Sequence, residues 1–422
     1  MALEGVLLSL FLSLATPYPL AGKTVTMDKA DLNDRFLLQV SYELENGFHD
    51  FMTSRSRIVD FERQKEVLRM IEVPRDSSTP PRLLATIPIR GETAQALMVD
   101  FNTGFDRVFQ EEDRTGEDYD GRVDMHEYPF FRLSQRQILS VSQRAKTLVI
   151  DQMAFDVDME PVLVHYYLSR YEPNPNFQPF EIENLEHFGF YETYPRRQSG
   201  RTVLYAMKFD SHEQIVFALS AAVPGQYRQA VRDGVLYWNK ALGQPLLRVI
   251  DAPDDVMAPS SRYNVIQWLT DGDFASTSHI QSDPLTGEIL HAHIFVLSRK
   301  MRDADLDEQR DHLRYVVAHE VGHALGLRHN FAEGPVSTVM NYFMFMQTVK
   351  IGHEVIQSGD KALDYDRQVM RHVYFGEPLD LKSLPAFCTD AQVRCDPFRL
   401  RNRSPGADYS GTEKELKKSV PE

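Results

Sequence analysis

The run His319-Glu320-Val321-Gly322-His323-Ala324-Leu325-Gly326-Leu327-Arg328-His329-Asn330 constrains this chain more than any other feature. On a helix, residues four apart share a face, so His319 and His323 aim two imidazoles at one point. His329 is out of reach if the helix continues, because ten residues add about 15 Å of rise. Gly326 offers the way back, since glycine accepts the left-handed conformation that ends a helix and reverses the chain. Three neutral histidines and one open position suit Zn²⁺, whereas calcium or magnesium would ask for oxygen ligands. Glu320 can reach a water at the open position without filling it, which makes it the natural general base. A helix with incidental histidines would leave the glycine and the third histidine unexplained at their spacings.

Around this run, 422 residues with 42% hydrophobic side chains can build more than one core, so two domains are expected. The formal charge of -15 repels nucleic-acid phosphates and anionic membranes, and no basic patch of useful length offsets it. No nucleic-acid partner is expected. Residues 1–22 carry an apolar run from Val6 to Ala15 and resemble a secretory signal peptide, although Glu4 stands where a basic residue is usual. An exported protein follows, whether secreted, periplasmic or held at the cell surface; a buried strand or a truncated start is the alternative. No later stretch is long and apolar enough for an integral membrane segment. Cys388 and Cys395 either close a small disulfide loop or remain two thiols.

The pattern changes near residue 200. Before it, 28–45 is polar and helix-compatible, 56–73 partly alternates, and 82–90, 94–101, 144–151 and 161–169 read as strands. The acidic stretch 113–124 reads as a solvated loop. This predicts a β-rich N-terminal domain and connection over 23–199. Beyond it, strands are expected at 203–209, 246–251, 264–269 and 289–297, with helices at 226–242, within 303–327 and at 365–373. The result is a mixed α/β domain over 200–399 and a flexible tail over 400–422.

The histidine run resembles the zinc signature of the metzincins, and Ser337-Thr338-Val339-Met340-Asn341-Tyr342 resembles their Met-turn. The resemblance implies a metzincin-like catalytic domain with an active-site helix, and Met340 as an apolar support beneath the histidines. Tyr342 matches the tyrosine of astacin-like and serralysin-like members that approaches zinc. Asn330 departs from the residues that follow the third histidine in the familiar subfamilies. Segments 171–176, 187–189, 237–241, 283–288, 326–331 and 387–390 further resemble a largely uncharacterised bacterial group of zinc-dependent metalloproteases, over roughly residues 160–400.

The activity so implied is that of a zinc-dependent endopeptidase acting on a peptide or protein substrate. A zinc hydrolase of a non-peptide amide is one alternative. A catalytically silent zinc-bound structural or adhesion protein is another, and it leaves Glu320 without a purpose. The resemblance also lays strand 289–297 along the cleft, ready to pair with substrate, with His291 and His293 as surface or cleft lining. His279 falls in a polar loop, and 341–349 becomes the wall of the pocket beyond the scissile bond. The N-terminal half then either covers the cleft as an inhibitory domain or buttresses it.

Overall fold

The computed structural model describes residues 24–45, 49–74, 81–109, 130–144, 146–156, 159–182, 189–193, 196–253, 256, 260, 262–269, 276–297, 304–331, 337–343, 345–380 and 382. The leader-like residues 1–22, the acidic stretch 113–124, both cysteines and the tail 400–422 lie outside them.

Period-two patterning dominates the first half. Phe36, Leu38, Val40 and Tyr42 alternate, and all four are buried in one core. Phe36–Glu45 is therefore a strand, and only Lys29–Asn33 is a short 3₁₀ turn. The helix-compatible stretch 28–45 does not become a helix, because directing Phe36, Leu38, Val40 and Tyr42 into one core requires the extended backbone. The same logic places Val162, Val164, Tyr166 and Leu168 of Pro161–Arg170 in that core.

Nine strands make one antiparallel sheet. Their order is Thr24–Asp28, Ala96–Asp100, Arg82–Glu92, Val67–Glu72, His49–Gln64, Phe36–Glu45, Pro161–Arg170, Thr147–Phe155 and Ser134–Arg144.

The second half is layered differently. A five-stranded sheet runs in the order Leu247–Asp251, Ile215–Leu219, Asn264–Leu269, Ile289–Leu297 and Thr277–Ser282. The first four strands are parallel and the last is antiparallel. Strand Ile289–Leu297 is hydrogen-bonded on both sides, to Asn264–Leu269 and to Thr277–Ser282. It has no edge to offer a substrate. The outermost strand beside it is Thr277–Ser282, which places His279 on a strand and corrects the loop expected there.

Helices α1 (Arg228–Leu242) and α2 (Leu306–Ala324) pack together and share one core with Ile215, Phe217, Ile266, Ile294 and Val296 of the sheet. α3 (Phe345–Ile351) and α4 (Asp364–Phe375) close that layer. Ile182 and Phe190, from ahead of residue 200, are buried in the same core. No helix among the described residues is long and apolar enough to cross a membrane.

The approach of α1 to α2 rests on a missing side chain. A Cβ on Gly234 would lie 2.7 Å from the Arg314 carbonyl oxygen and 2.8 Å from Val317 Cβ. The indole N–H of Trp238 donates to the Ala318 carbonyl at 2.8 Å and holds the helices in this register.

Helix propensity alone would make Gly234→Ala stabilising by about 1 kcal/mol. Overpacking at this crossing reverses the sign, and a loss of about 1–3 kcal/mol is expected. Denaturant unfolding reads this directly, and a stabilised variant would contradict the packing described.

Candidate metal centre

α2 starts firmly. The Asp305 side chain accepts from the backbone N–H groups of Asp307 and Glu308, and Glu308 returns a bond to the Asp305 N–H, forming a capping box. Three turns on, His319 and His323 face the same way, with Nε2 atoms 3.2 Å apart. The helix then stops at Gly326. Its φ is +103°, and a Cβ there would sit 2.0 Å from the Met207 carbonyl oxygen, so only glycine fits. The Leu327 N–H reaches back to the Gly322 carbonyl at 2.9 Å, closing the helix end. This reversal brings His329 Nε2 to 3.0 Å from His323 Nε2.

The far side of two rings decides their protonation. His319 Nδ1 lies 2.8 Å from the Val339 carbonyl oxygen, and His323 Nδ1 lies 2.8 Å from that of Leu327. A carbonyl only accepts, so each Nδ1 carries the proton and each Nε2 presents a lone pair inward. Burial, reinforced by His329 and His319, holds the His323 pKa well below the usual histidine range. Neutral imidazoles with lone pairs this close repel one another unless a cation lies between them. The three ligand atoms all fall within 4.8 Å of one another, and among the described residues they form the one such group of three or more. An all-nitrogen donor set of this kind fits a divalent metal and suits Zn²⁺.

Glu320 is buried on α2 next to His319, and burial pushes its carboxyl up to about 8. The Tyr342 ring is 4.5 Å from that of His329 and 5.8 Å from that of His319, with part of it open to solvent. Met340 is fully buried under the helix, where a Cβ on Gly322 would meet its sulfur at 2.2 Å and Trp238 at 2.7 Å. The Asn330 N–H donates to the Met340 carbonyl at 2.8 Å and ties the two segments together. The structure thus brings His319, His323 and His329 together, sets Tyr342 against two of their rings and packs Met340 under the helix that carries the first two.

His279, His291 and His293 do not join them. His293 is buried, not surface-lying, and its Nε2 is 2.9 Å from both the N–H and the carbonyl oxygen of Ser260. Burial lowers the pKa of His291 to about 4 and that of His293 to about 3.

Asp366 is a supporting residue that escaped the sequence reading. Asp366 of α4 is completely buried and accepts from Tyr237 OH at 2.7 Å, from the Val339 N–H at 3.0 Å and from the Thr338 hydroxyl. Burial raises its carboxyl to about 6 against the pull of those donors. The backbone of Val339 is thus held on both sides of its Cα, since its carbonyl also accepts from Tyr315 OH at 3.0 Å as well as facing His319. An aspartate at the start of a helix reads as surface charge near the helix N-terminus, and nothing in its spacing from Val339 signals this role.

Residues 302–350 match a family model described as Met-zincin. The match covers α2, the three histidines and Tyr342. No curated protein matches the chain, and no solved structure does.

Asp366→Ala would strand three buried donors, each costing about 1–3 kcal/mol. A large drop in unfolding free energy is expected, together with metal binding weakened about 10–100-fold through the loosened His319 contact. Thermal unfolding with a chelator-competition titration checks both, and unchanged values would show that the carboxylate supports nothing.

Proposed function

We propose that this chain is a zinc-dependent endopeptidase of the metzincin type, with His319, His323 and His329 as ligands. The observation that carries the reading is the convergence of three inward-facing Nε2 atoms beside a buried glutamate. When bound there, Zn²⁺ supplies Lewis acidity, polarising the scissile carbonyl and easing deprotonation of the attacking water. Glu320 takes that proton and returns it to the leaving amine. Its buried position suits the task, because removal from bulk water makes the carboxylate a stronger base toward the attacking water. The Tyr342 hydroxyl donates to the carbonyl oxygen as negative charge develops on it, and so favours the transition state over the ground state.

On this reading Met340 is the methionine of the Met-turn. Its role is packing: it fills the space beneath Gly322 and fixes the height of the helix turn that carries His319 and His323. Extended substrate pairs with Thr277–Ser282, the outermost strand, through main-chain hydrogen bonds. Strand His49–Gln64 packs against that same strand while remaining in its own sheet, so the N-terminal unit bounds the peptide lane. We place the protein outside the cytoplasm on the strength of the leader-like run from Val6 to Ala15.

Zinc-loaded full-length protein should cleave a quenched peptide library, and chelation should abolish cleavage. Glu320→Gln should keep zinc and fold while losing about 10²–10⁴-fold in turnover. Tyr342→Phe should keep both and lose roughly 10–1,000-fold in kcat/KM. Peptide cleavage at the wild-type rate by Glu320→Gln would sink the mechanism. Full zinc occupancy without cleavage of any peptide would sink the peptidase reading in favour of a non-peptide amide or a silent zinc site.

A further inference from the structure

The third histidine stands on a stretch that the helix cannot support. Beyond Gly326 the chain is extended, and its backbone donors and acceptors need partners that α2 no longer supplies. The Gly326 carbonyl and the Arg328 N–H find theirs in residues 189–191, far upstream in sequence. Phe190 and Leu327 form an antiparallel bridge, the Tyr191 N–H donates to the Gly326 carbonyl at 2.7 Å, and the Arg328 N–H donates to the Gly189 carbonyl at 3.2 Å. The upstream segment is anchored on its other side, where the Met207 N–H donates to the Tyr191 carbonyl at 2.7 Å and the Thr193 N–H to that of Tyr205 at 2.9 Å.

Side chains lock this pairing. Arg328 Nη2 lies 2.7 Å and 2.6 Å from the two carboxylate oxygens of Glu192, and Arg328 Nε donates to the Phe190 carbonyl at 3.0 Å. Only 6% of Arg328 and 8% of Glu192 are exposed. The guanidinium also stands over the Tyr191 ring, 5.6 Å from its centroid, and Tyr191 OH lies 3.4 Å from His323 Nδ1. A buried ion pair costs desolvation on both partners, so a pair placed here needs a reason beyond stability. Its position supplies one. Arg328 sits between Leu327, whose carbonyl fixes the proton on His323, and His329, which is itself a ligand.

We infer that Glu192 and Arg328 form a clamp that positions His323 and His329 for the metal, so that the segment ahead of the catalytic layer completes the metal centre. Both are positioning residues, because neither reaches the metal or a substrate. The inference rests on the three-histidine metal site and adds to it a dependence on residues 189–193. Without the clamp, the stretch after Gly326 would keep its turn but lose its fixed distance from α2, and one imidazole would wander from the other two.

The test uses the full chain loaded with zinc, or with cobalt as a spectroscopic reporter. Glu192→Gln keeps the shape and removes the charge. It should weaken zinc binding about 10–100-fold in chelator competition and alter the visible absorption of the cobalt form. The paired variant Glu192→Leu with Arg328→Met buries no unmatched charge. It serves if the single variant does not fold, and it should show the same weakened affinity. Leu247→Ala, a core change on the opposite edge of the sheet, is the control for lost stability and should leave affinity and spectrum untouched. Wild-type affinity and spectrum in the clamp variants, with only a lowered Tm, would overturn the inference and leave the metal site standing. A wild-type chain that binds neither ion would overturn both.

Discussion

The chain reversal at Gly326 is the constraint on which the centre depends. Two histidines on one helix face can be had from spacing alone, and they bind a metal loosely. The third arrives because one residue adopts a positive φ in a gap too narrow for any Cβ, against the Met207 carbonyl. The surrounding structure is arranged to keep that gap. Met207 is hydrogen-bonded to Tyr191, Tyr191 to Gly326, and the glycine at 322 lets Met340 and Trp238 press the helix end from below.

Around the reversal, two carbonyls do the fine adjustment. Val339 and Leu327 each fix the proton of one imidazole, and each belongs to a peptide restrained from elsewhere: Val339 by Asp366, Leu327 by its pairing with Phe190. The three histidines come from residues 319–329, yet the groups that orient two of them come from α4 and from the segment near residue 190. This is the usual division in metal sites, where outer hydrogen bonds set ring orientation and basicity. It also explains why the second core reaches back to Ile182 and Phe190. The upstream segment must be packed for its backbone to serve.

Much of this was legible in the sequence, and the reasons for the gaps are physical. His319, His323, Gly326 and His329 carry their geometry in their spacing, because helix periodicity and glycine conformation are local properties. Helices α1, α2 and α4 were likewise visible from apolar periodicity. Strand Phe36–Glu45 was obscured by Gln39, Ser41 and Glu43, whose helix-compatible composition outweighed an alternation that burial then enforced. Strands Ile215–Leu219 and Thr277–Ser282 were passed over, the first short and apolar, the second polar. Without the second, Ile289–Leu297 reads as the outer strand of the sheet, whereas it lies one position in. Asp366 and Glu192 gave no signal at all, since their partners lie far away in sequence and only the fold brings them together.

On the proposed function, three imidazole nitrogens share one zinc ion. X-ray absorption at the zinc edge, on full-length protein loaded to equilibrium, measures that directly. The prediction is one zinc per chain with three nitrogen neighbours of imidazole type at about 2.0–2.1 Å and a further light atom completing a four-coordinate site. A folded chain that retains no stoichiometric zinc, or a zinc surrounded by oxygen alone, would contradict it.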